Sequence, residues 1–576
     1  MIFYLTNDIE FFILHNVLGS FVKTFHCRTY EIITDRRKFN SFILCAMLFS
    51  TLIISSISVT FSNHAYGQGL IAPPEPLTPQ GLVNAGQRAS SDSFNIPLGY
   101  KIEPVLWNLT LPSSVTFDDN GSIYVAEAGY SYGGFKPLPR ILKVDAKGNM
   151  SVLVDRQLNG PITDIEFNKK TGVLYVSHKG VISAVDMGGR VKDLIVGLPS
   201  SGDHHNNQIA FGPDDRIYFG QGTVTNTGVV GDDNYAYEWL KISPELHDIP
   251  AKNITLTGQN FESINPLTPQ NLTDYATTGA FVPFGHNTTK GQTVKGDVKC
   301  GGCIISSNIN GTDLKMVAWG LRNPYGLAFT DDGKNLIITN NGADERGSRR
   351  IANDSDKVFS VDISNSSSVG NIWFGWPDFF GNAEPVTNLG FKSISSQDNK
   401  QPQFLMQDHP PVEKPVTLLG EGVAVTQAAL SNSSNFGHKG MIFISEFGTA
   451  APLIHPFAQI INQTAEFKPN ITGQKVVMLD PKSGNISDFI SLNKIDPEFR
   501  PIGLSFNPKG DALYVVSYGK VEIRTSIPKG GTGIPEYRSG AGLYPFATIH
   551  ATVWPYANTG VVWKITPIDN NTATSQ

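Results

Sequence analysis

The chain has 576 residues and carries 45 Lys and Arg against 51 Asp and Glu, a formal net charge of −6. That balance, with no long Lys/Arg run, lacks the basic footprint of nucleic-acid binding and argues against a nucleic-acid partner. The 56 Gly and 36 Pro fall short of a disordered composition but suit many turns between short strands, and the length admits either several average domains or one large all-β domain.

Residues 39–61, FNSFILCAMLFSTLIISSISVTF, form one apolar run preceded by Arg36, Arg37 and Lys38 and followed by the small-residue site Ala65-Tyr66-Gly67. Positive, apolar, small is the order of a secretory signal. The run is also long enough to span a bilayer as an uncleaved anchor. Either way the remainder is expected outside, secreted or anchored on the outer face of the cell membrane. We read 1–67 as an N-terminal extension with signal peptide or anchor, 68–95 as a linker rich in Pro, Gly, Ser and Asn, 96–568 as the folded domain and 569–576 as a tail. About fourteen Asn-x-Ser/Thr sequons, among them Asn108, Asn253 and Asn485, agree with an exported glycoprotein. Beyond Cys27 and Cys45 in the leader, only Cys300 and Cys303 remain, in KCGGCI. Two thiols cannot complete a four-ligand zinc site, and Ile304 stands where haem attachment needs His. A local disulfide between Cys300 and Cys303 is expected in an oxidising compartment.

From Val115 onward one pattern returns: an apolar strand ending in Phe, a turn rich in Asp, Asn and Gly, then a second apolar strand. The copies are VTFDDNGSIYVAE from Val115, IEFNKKTGVLYVS from Ile165, IAFGPDDRIYFG from Ile209, LAFTDDGKNLIITN from Leu327 and LSFNPKGDALYVVS from Leu504, with a degenerate sixth between Val423 and Glu446. Such alternating runs are antiparallel hairpins. Phe117, Phe167 and Phe211 are 50 and 44 residues apart, the length of a four-stranded propeller blade. A lone hairpin cannot bury its apolar face, so six copies predict an all-β, six-bladed propeller of four-stranded antiparallel blades around a channel. The strand 559–567, TGVVWKITP, is expected to close the ring with an early strand. Val224 to Lys299 carries no repeat and reads as a long insertion over one face.

Function in a propeller gathers in the loops at one mouth of the channel. Just before the third copy stands GDHHNNQIAFGPD, residues 202–214, where a neutral loop imidazole is a candidate general base; the alternative is a set of turn-capping side chains. Just before the fourth stands WGLRNPYGLAF, residues 319–329, whose Arg322 suits a carboxylate or caps strand-end carbonyls. TNNGADERG, residues 339–347, offers carboxylate and carbonyl oxygens to calcium, though without EF-hand spacing.

Taken together, these motifs resemble the soluble PQQ-dependent glucose dehydrogenases and, more closely, their sorbosone-dehydrogenase-like relatives. LGYKIEPVLWNLTLPSSVTFDDNGSIYVAEAGYSYGG, FGWPDFFG from Phe374 and the closing VVWKITP fit the same family, so the resemblance spans roughly residues 97–567. It implies oxidation of a sugar hydroxyl, hemiacetal or aldehyde by pyrroloquinoline quinone (PQQ), with calcium and an external electron acceptor, since no CxxCH motif is present. On this resemblance His204 is the base, Asp203 the acid that orients it, and Arg322 faces cofactor and substrate. Asn323, Asn206 and Lys564 are further cofactor contacts. Asn341, Gly342, Ala343 and Asp344 form the calcium turn, with Ala343 where the glucose enzymes have Pro. Those enzymes also carry a Lys and a closely spaced Arg pair late in the chain; here Arg500, Lys520 and Arg524 stand unassigned. Two other functions use such folds. One is a non-catalytic extracellular propeller binding glycan or protein; the other is a gluconolactonase-like metal-dependent hydrolase, for which Glu127 would begin the metal set.

Overall fold

The computed structural model describes residues 93–568 apart from 130–136, 237–238, 269–272, 394–399, 450–471, 494–498 and 527–549. The expected leader, the linker up to residue 92 and the tail 569–576 lie outside the described residues.

Each of the six sequence copies forms the two inner strands of one blade. The first blade is Pro112–Phe117, Ile123–Glu127, Arg140–Val144 and Met150–Asp155. The second runs from Ile162–Asn168 to Val191–Val196. The third to fifth begin with Asn206–Phe211, Asn323–Phe329 and Val425–Leu430. First strands touch their neighbours in cyclic order, the sixth meeting the first, so they line the channel. The third and fifth blades each gain a short fifth strand, Ile372–Trp373 and Phe94–Asn95.

The ring closes as expected. In the sixth blade Gly560–Pro567 lies between Leu513–Ser517 and the N-terminal strand Tyr100–Leu109, antiparallel to both. Leu106, Leu109 and Val562 of that blade pack with Val115, Val125 and Leu142 of the first. Each such side chain contributes about 1.5–3 kcal/mol of burial, so the seam joining the chain ends is an apolar interface like the others.

The turns form for a local reason. In the first hairpin the Asp118 carboxylate accepts the N–H groups of Asn120 and Ser122 and the hydroxyl of Tyr124, while Gly121 takes φ 81°, a conformation that costs other residues energy. At the opposite end all six first strands carry a register shift within their first residues, for instance between Asn206 and Ile209 and between Pro324 and Leu327. A bulge re-aims the side chains beside it, and its repetition gives every blade the same distortion at this mouth of the channel.

Polar groups tie the inner strands across the channel. Asp164 of the second blade accepts from Ser114 Oγ at 2.6 Å, Gln427 Nε2 at 2.7 Å and the Ile209 amide at 2.8 Å. Burial outweighs these bonds and pushes its carboxyl up to about 6.

The region 224–299 is inserted between the second and third strands of the third blade, as expected. It holds the short helices Asp232–Ala236 and Trp239–Ile242, a small hairpin of Asn260–Ile264 with Tyr275–Gly279, and the short antiparallel pair Ile254–Thr255 with Thr293–Val294.

Candidate active site

Asp203 and His204 lie in the loop that leads into the third blade. Their amides donate to the carbonyls of Val224 and Thr223, at 2.9 and 3.0 Å. His204 Nδ1 lies 3.1 Å from the same Thr223 carbonyl. A carbonyl only accepts, so Nδ1 carries the hydrogen and Nε2 keeps its lone pair. Burial pushes the His204 imidazole down to about 4; Asp203 pulls it up, and Arg322 and Arg346 add to the depression. The ring is therefore neutral at pH 7 and able to accept a proton.

The resemblance casts Asp203 as the group that orients this base, and the geometry corrects that. Asp203 Oδ2 is 3.8 Å from His204 Nε2, too long for a hydrogen bond, and the Thr223 carbonyl sets the ring. The Asp203 carboxylate is instead held by two guanidiniums, Arg322 through Nη2 at 3.3 Å and Arg346. Burial raises its affinity for a proton, but Arg346, His204 and Arg322 outweigh this and hold it well below the usual carboxylate range.

Arg322 precedes the first strand of the fourth blade, and its backbone N–H is held by Asn340 Oδ1 at 3.0 Å. Its side chain donates from Nε to the Asn226 carbonyl, from Nη1 to the Gly342 carbonyl at 2.6 Å, and from Nη2 to Asp203 and Asp344. Arg346 donates to Asp344 and to Asp233. Two guanidiniums and three carboxylates thus alternate beside a neutral imidazole.

The segment Gly222–Gly228 is the support that joins these parts. Besides holding His204 and Asp203, it meets Arg322 through the Thr223 N–H on the Arg322 carbonyl. Asn226 receives the Asp344 N–H and donates to the Asp344 carbonyl. Cys300 and Cys303 form the expected disulfide. Cys303 is paired with Gln221 and Trp319, and the neighbouring Gly302 carbonyl accepts the Leu321 N–H. The bridge therefore sits directly beneath the residues that lead to Thr223 and Arg322.

Other expected residues take different roles. Asn323 is buried at the mouth and joins two blades, donating to Asn341 Oδ1 at 2.7 Å and accepting from Asn207 at 2.8 Å. Asn206 is not a cofactor contact: its amide donates to Ser177 Oγ and to the carbonyls of His178 and Val181, and its oxygen accepts the Gly180 N–H. Lys564 does not lie at the mouth. It lies on the third strand of the sixth blade, opposite Glu103 and Tyr514 and four residues from the mouth end at Gly560. Glu127, the start of the hydrolase set, is spent on Arg140 and the Thr110 N–H.

The calcium turn is also changed by its neighbours. One side of the Gly342 carbonyl is taken by Arg322, the Asn341 amide by Asn323, Asp356 and the Val425 carbonyl, and the Ala343 N–H by Asp354. Among the described residues no group of three or more His, Cys, Asp or Glu is placed to hold a metal ion. Calcium takes about six to eight oxygens, so the oxygens of this turn alone would not complete its shell.

Sequence reasoning missed Arg346, Thr223 and Asn226. Arg346 stands inside TNNGADERG, where the acids and amides are the stronger cation signal; Thr223 and Asn226 act through backbone or amide groups that leave no spacing signal. Arg500, left unassigned, precedes the first strand of the sixth blade as Arg322 precedes that of the fourth, and its amide is held by Ser517 Oγ at 2.9 Å. It is buried, donates from Nη1 to the Phe447 and Thr449 carbonyls, and its Nε has no hydrogen-bond partner among the described residues. Burial lowers its proton affinity to about 10, and no carboxylate pairs with it among the described residues.

Fold and site define a six-bladed propeller whose channel mouth sets a neutral imidazole beside paired buried guanidiniums. No family model matches the chain. Quinoprotein glucose dehydrogenase B of Acinetobacter calcoaceticus is 24% identical over 295 residues, 51% of this chain and 48% of that protein, so the chain spans about half the length of this relative. Similar solved structures include the holo form of the PQQ domain of pyranose dehydrogenase from Coprinopsis cinerea, at 16% identity and TM-score 0.47, covering 82% of this chain and 97% of that one. The apo form of the soluble aldose sugar dehydrogenase of Escherichia coli, at 12% identity and TM-score 0.44, covers 81% and 99%.

Proposed function

We propose that this protein is a quinoprotein dehydrogenase that oxidises a sugar hydroxyl, hemiacetal or aldehyde, with pyrroloquinoline quinone as cofactor and His204 as the base. The observation that carries the reading is the neutral His204, its Nε2 lone pair available, beside guanidiniums that already hold a half-exposed carboxylate, that of Asp344. The residues suit the tricarboxylate quinone: Arg322 and Arg346 together bind a half-exposed carboxylate that a ligand's could replace, and the Arg500 Nε has no hydrogen-bond partner among the described residues. When bound, the quinone supplies the acceptor for the substrate hydride.

The chain's own residues do the rest. His204 Nε2 takes the hydroxyl proton, that of the hydrate where the substrate is an aldehyde, as the C–H bond is broken. Arg322 and Arg346 orient the anionic cofactor and keep the new imidazolium from forming without a substrate. Asp203, 3.8 Å from Nε2, stabilises the imidazolium once it forms. Calcium would bind at the Gly342 turn with the ligand completing its shell. Electrons would leave to an external acceptor, and the apolar run at 39–61 would export the protein or anchor it on the outer face of the membrane.

The test is titration of the full-length protein with pyrroloquinoline quinone, with and without calcium, followed by cofactor absorbance and then by reduction with a panel of aldoses and aldehydes. Saturable binding is expected, weakened about 10–100-fold in Arg500→Met, as loss of a charged hydrogen bond predicts. Absence of binding at high micromolar quinone would remove the reading.

A further inference from the structure

We propose that the place now filled by the Asp344 carboxylate is the seat of a ligand carboxylate, and that Asp344 is a tethered occupant the ligand displaces. The identity of the ligand as the quinone rests on the function proposed above; the seat itself rests on geometry.

Asp344 Oδ2 accepts from Arg322 Nη2 at 2.9 Å and from Arg346 Nε at 3.1 Å. The two guanidiniums are 4% and 5% exposed and Asp203 on their inner side 4%, whereas the Asp344 side chain is 50% exposed. Asp344 therefore covers the solvent side of the pair. Its place in the chain does not depend on that contact: its N–H and its carbonyl are both held by the Asn226 side chain. Rotation about its side-chain bonds would uncover both guanidiniums and leave the turn intact.

Charge favours the exchange. With Asp203, Asp233 and Asp344 against Arg322 and Arg346, these five side chains carry one net negative charge in the closed form, which opposes an incoming anion. With Asp344 turned out, two carboxylates balance two guanidiniums, and a planar ligand carboxylate can take both donors. Only a ligand that brings its own carboxylate can repay the lost contacts, so the device selects for anionic ligands. The apparent affinity is the intrinsic affinity multiplied by the fraction of molecules in the open form.

The experiment measures binding to the full-length protein and to Asp344→Asn and Asp344→Ala. Two probes are used: pyrroloquinoline quinone, read by fluorescence quenching in EDTA and again in calcium, and citrate, a redox-inert tricarboxylate, read by thermal protection. Both variants are expected to bind about tenfold more tightly than the parent, the closed form having been removed. Unchanged or weaker binding of both probes in both variants would overturn the proposal, and weakening confined to the calcium series would make Asp344 a cation ligand and overturn it as well. Tighter citrate binding with no quinone binding by any form would support the seat and remove the quinone. Quinone binding by the parent with no gain in either variant would do the reverse.

Discussion

His204→Ala should lower the rate of sugar oxidation by about 10²–10⁴-fold, the usual contribution of a general base, with quinone affinity nearly unchanged. The reason is local: Thr223 fixes the hydrogen on Nδ1, so Nε2 is the one basic atom the ring presents. The pH profile is a second test. Because burial pushes His204 down to about 4, the base is already deprotonated throughout the range in which an ordinary imidazole titrates. Protonation removes the base, so the rate should hold steady as pH falls through about 6.5 and decline only as it nears 4. An acid limb centred near the ordinary imidazole value, or a variant within tenfold of the parent, would show that His204 is not the base.

Asp203→Asn should be the most destabilising substitution at the mouth, lowering the unfolding free energy by about 3–5 kcal/mol, because it strips a buried anion from two buried guanidiniums. Among the described residues Arg322 and Arg346 would keep Asp344 and Asp233 as carboxylate partners, and Asp344 is half-exposed. The defect has a definite pH dependence. The folded-state pKa of Asp203 is depressed, so its stabilising effect is complete above the ordinary carboxylate value of about 3.9 and is lost as pH falls toward the lower folded value. Urea denaturation should therefore show the full gap between parent and variant at pH 7 and a narrowing gap below about pH 4. A gap under about 1 kcal/mol at pH 7 would mean that the cluster is screened like a surface ion pair.

The fold was largely legible in the sequence because it is made of local signals repeated six times. The Phe-ended strand, the Asp-Gly turn and the second strand are each set by neighbours within a few residues, as Asp118 shows by capping its own hairpin. Stacking is then the one way such hairpins bury their apolar faces. The strand at 560–567 was readable as ring closure for the same reason.

His204 and Arg322 were legible because polar residues at the start of inner strands stand out from an apolar pattern, and the pairing of Cys300 with Cys303 because two thiols three residues apart had no other use. The partners were not. That Arg346 reaches Asp203 across 143 positions, that Asn226 clasps Asp344 across 118, and that Asn206 spends its amide on the second blade are outcomes of packing blades around a channel. The same packing turned Lys564 away from the mouth and brought Arg500 to it. Sequence by itself determined the repeat, its number and the two motifs at the mouth, since those depend on short-range chemistry. Which charges neutralise one another, which nitrogen of His204 is free and which cations remain for a ligand were decided by tertiary structure alone, because electrostatic and hydrogen-bond partners are chosen by distance in space and by burial, neither of which a linear spacing encodes.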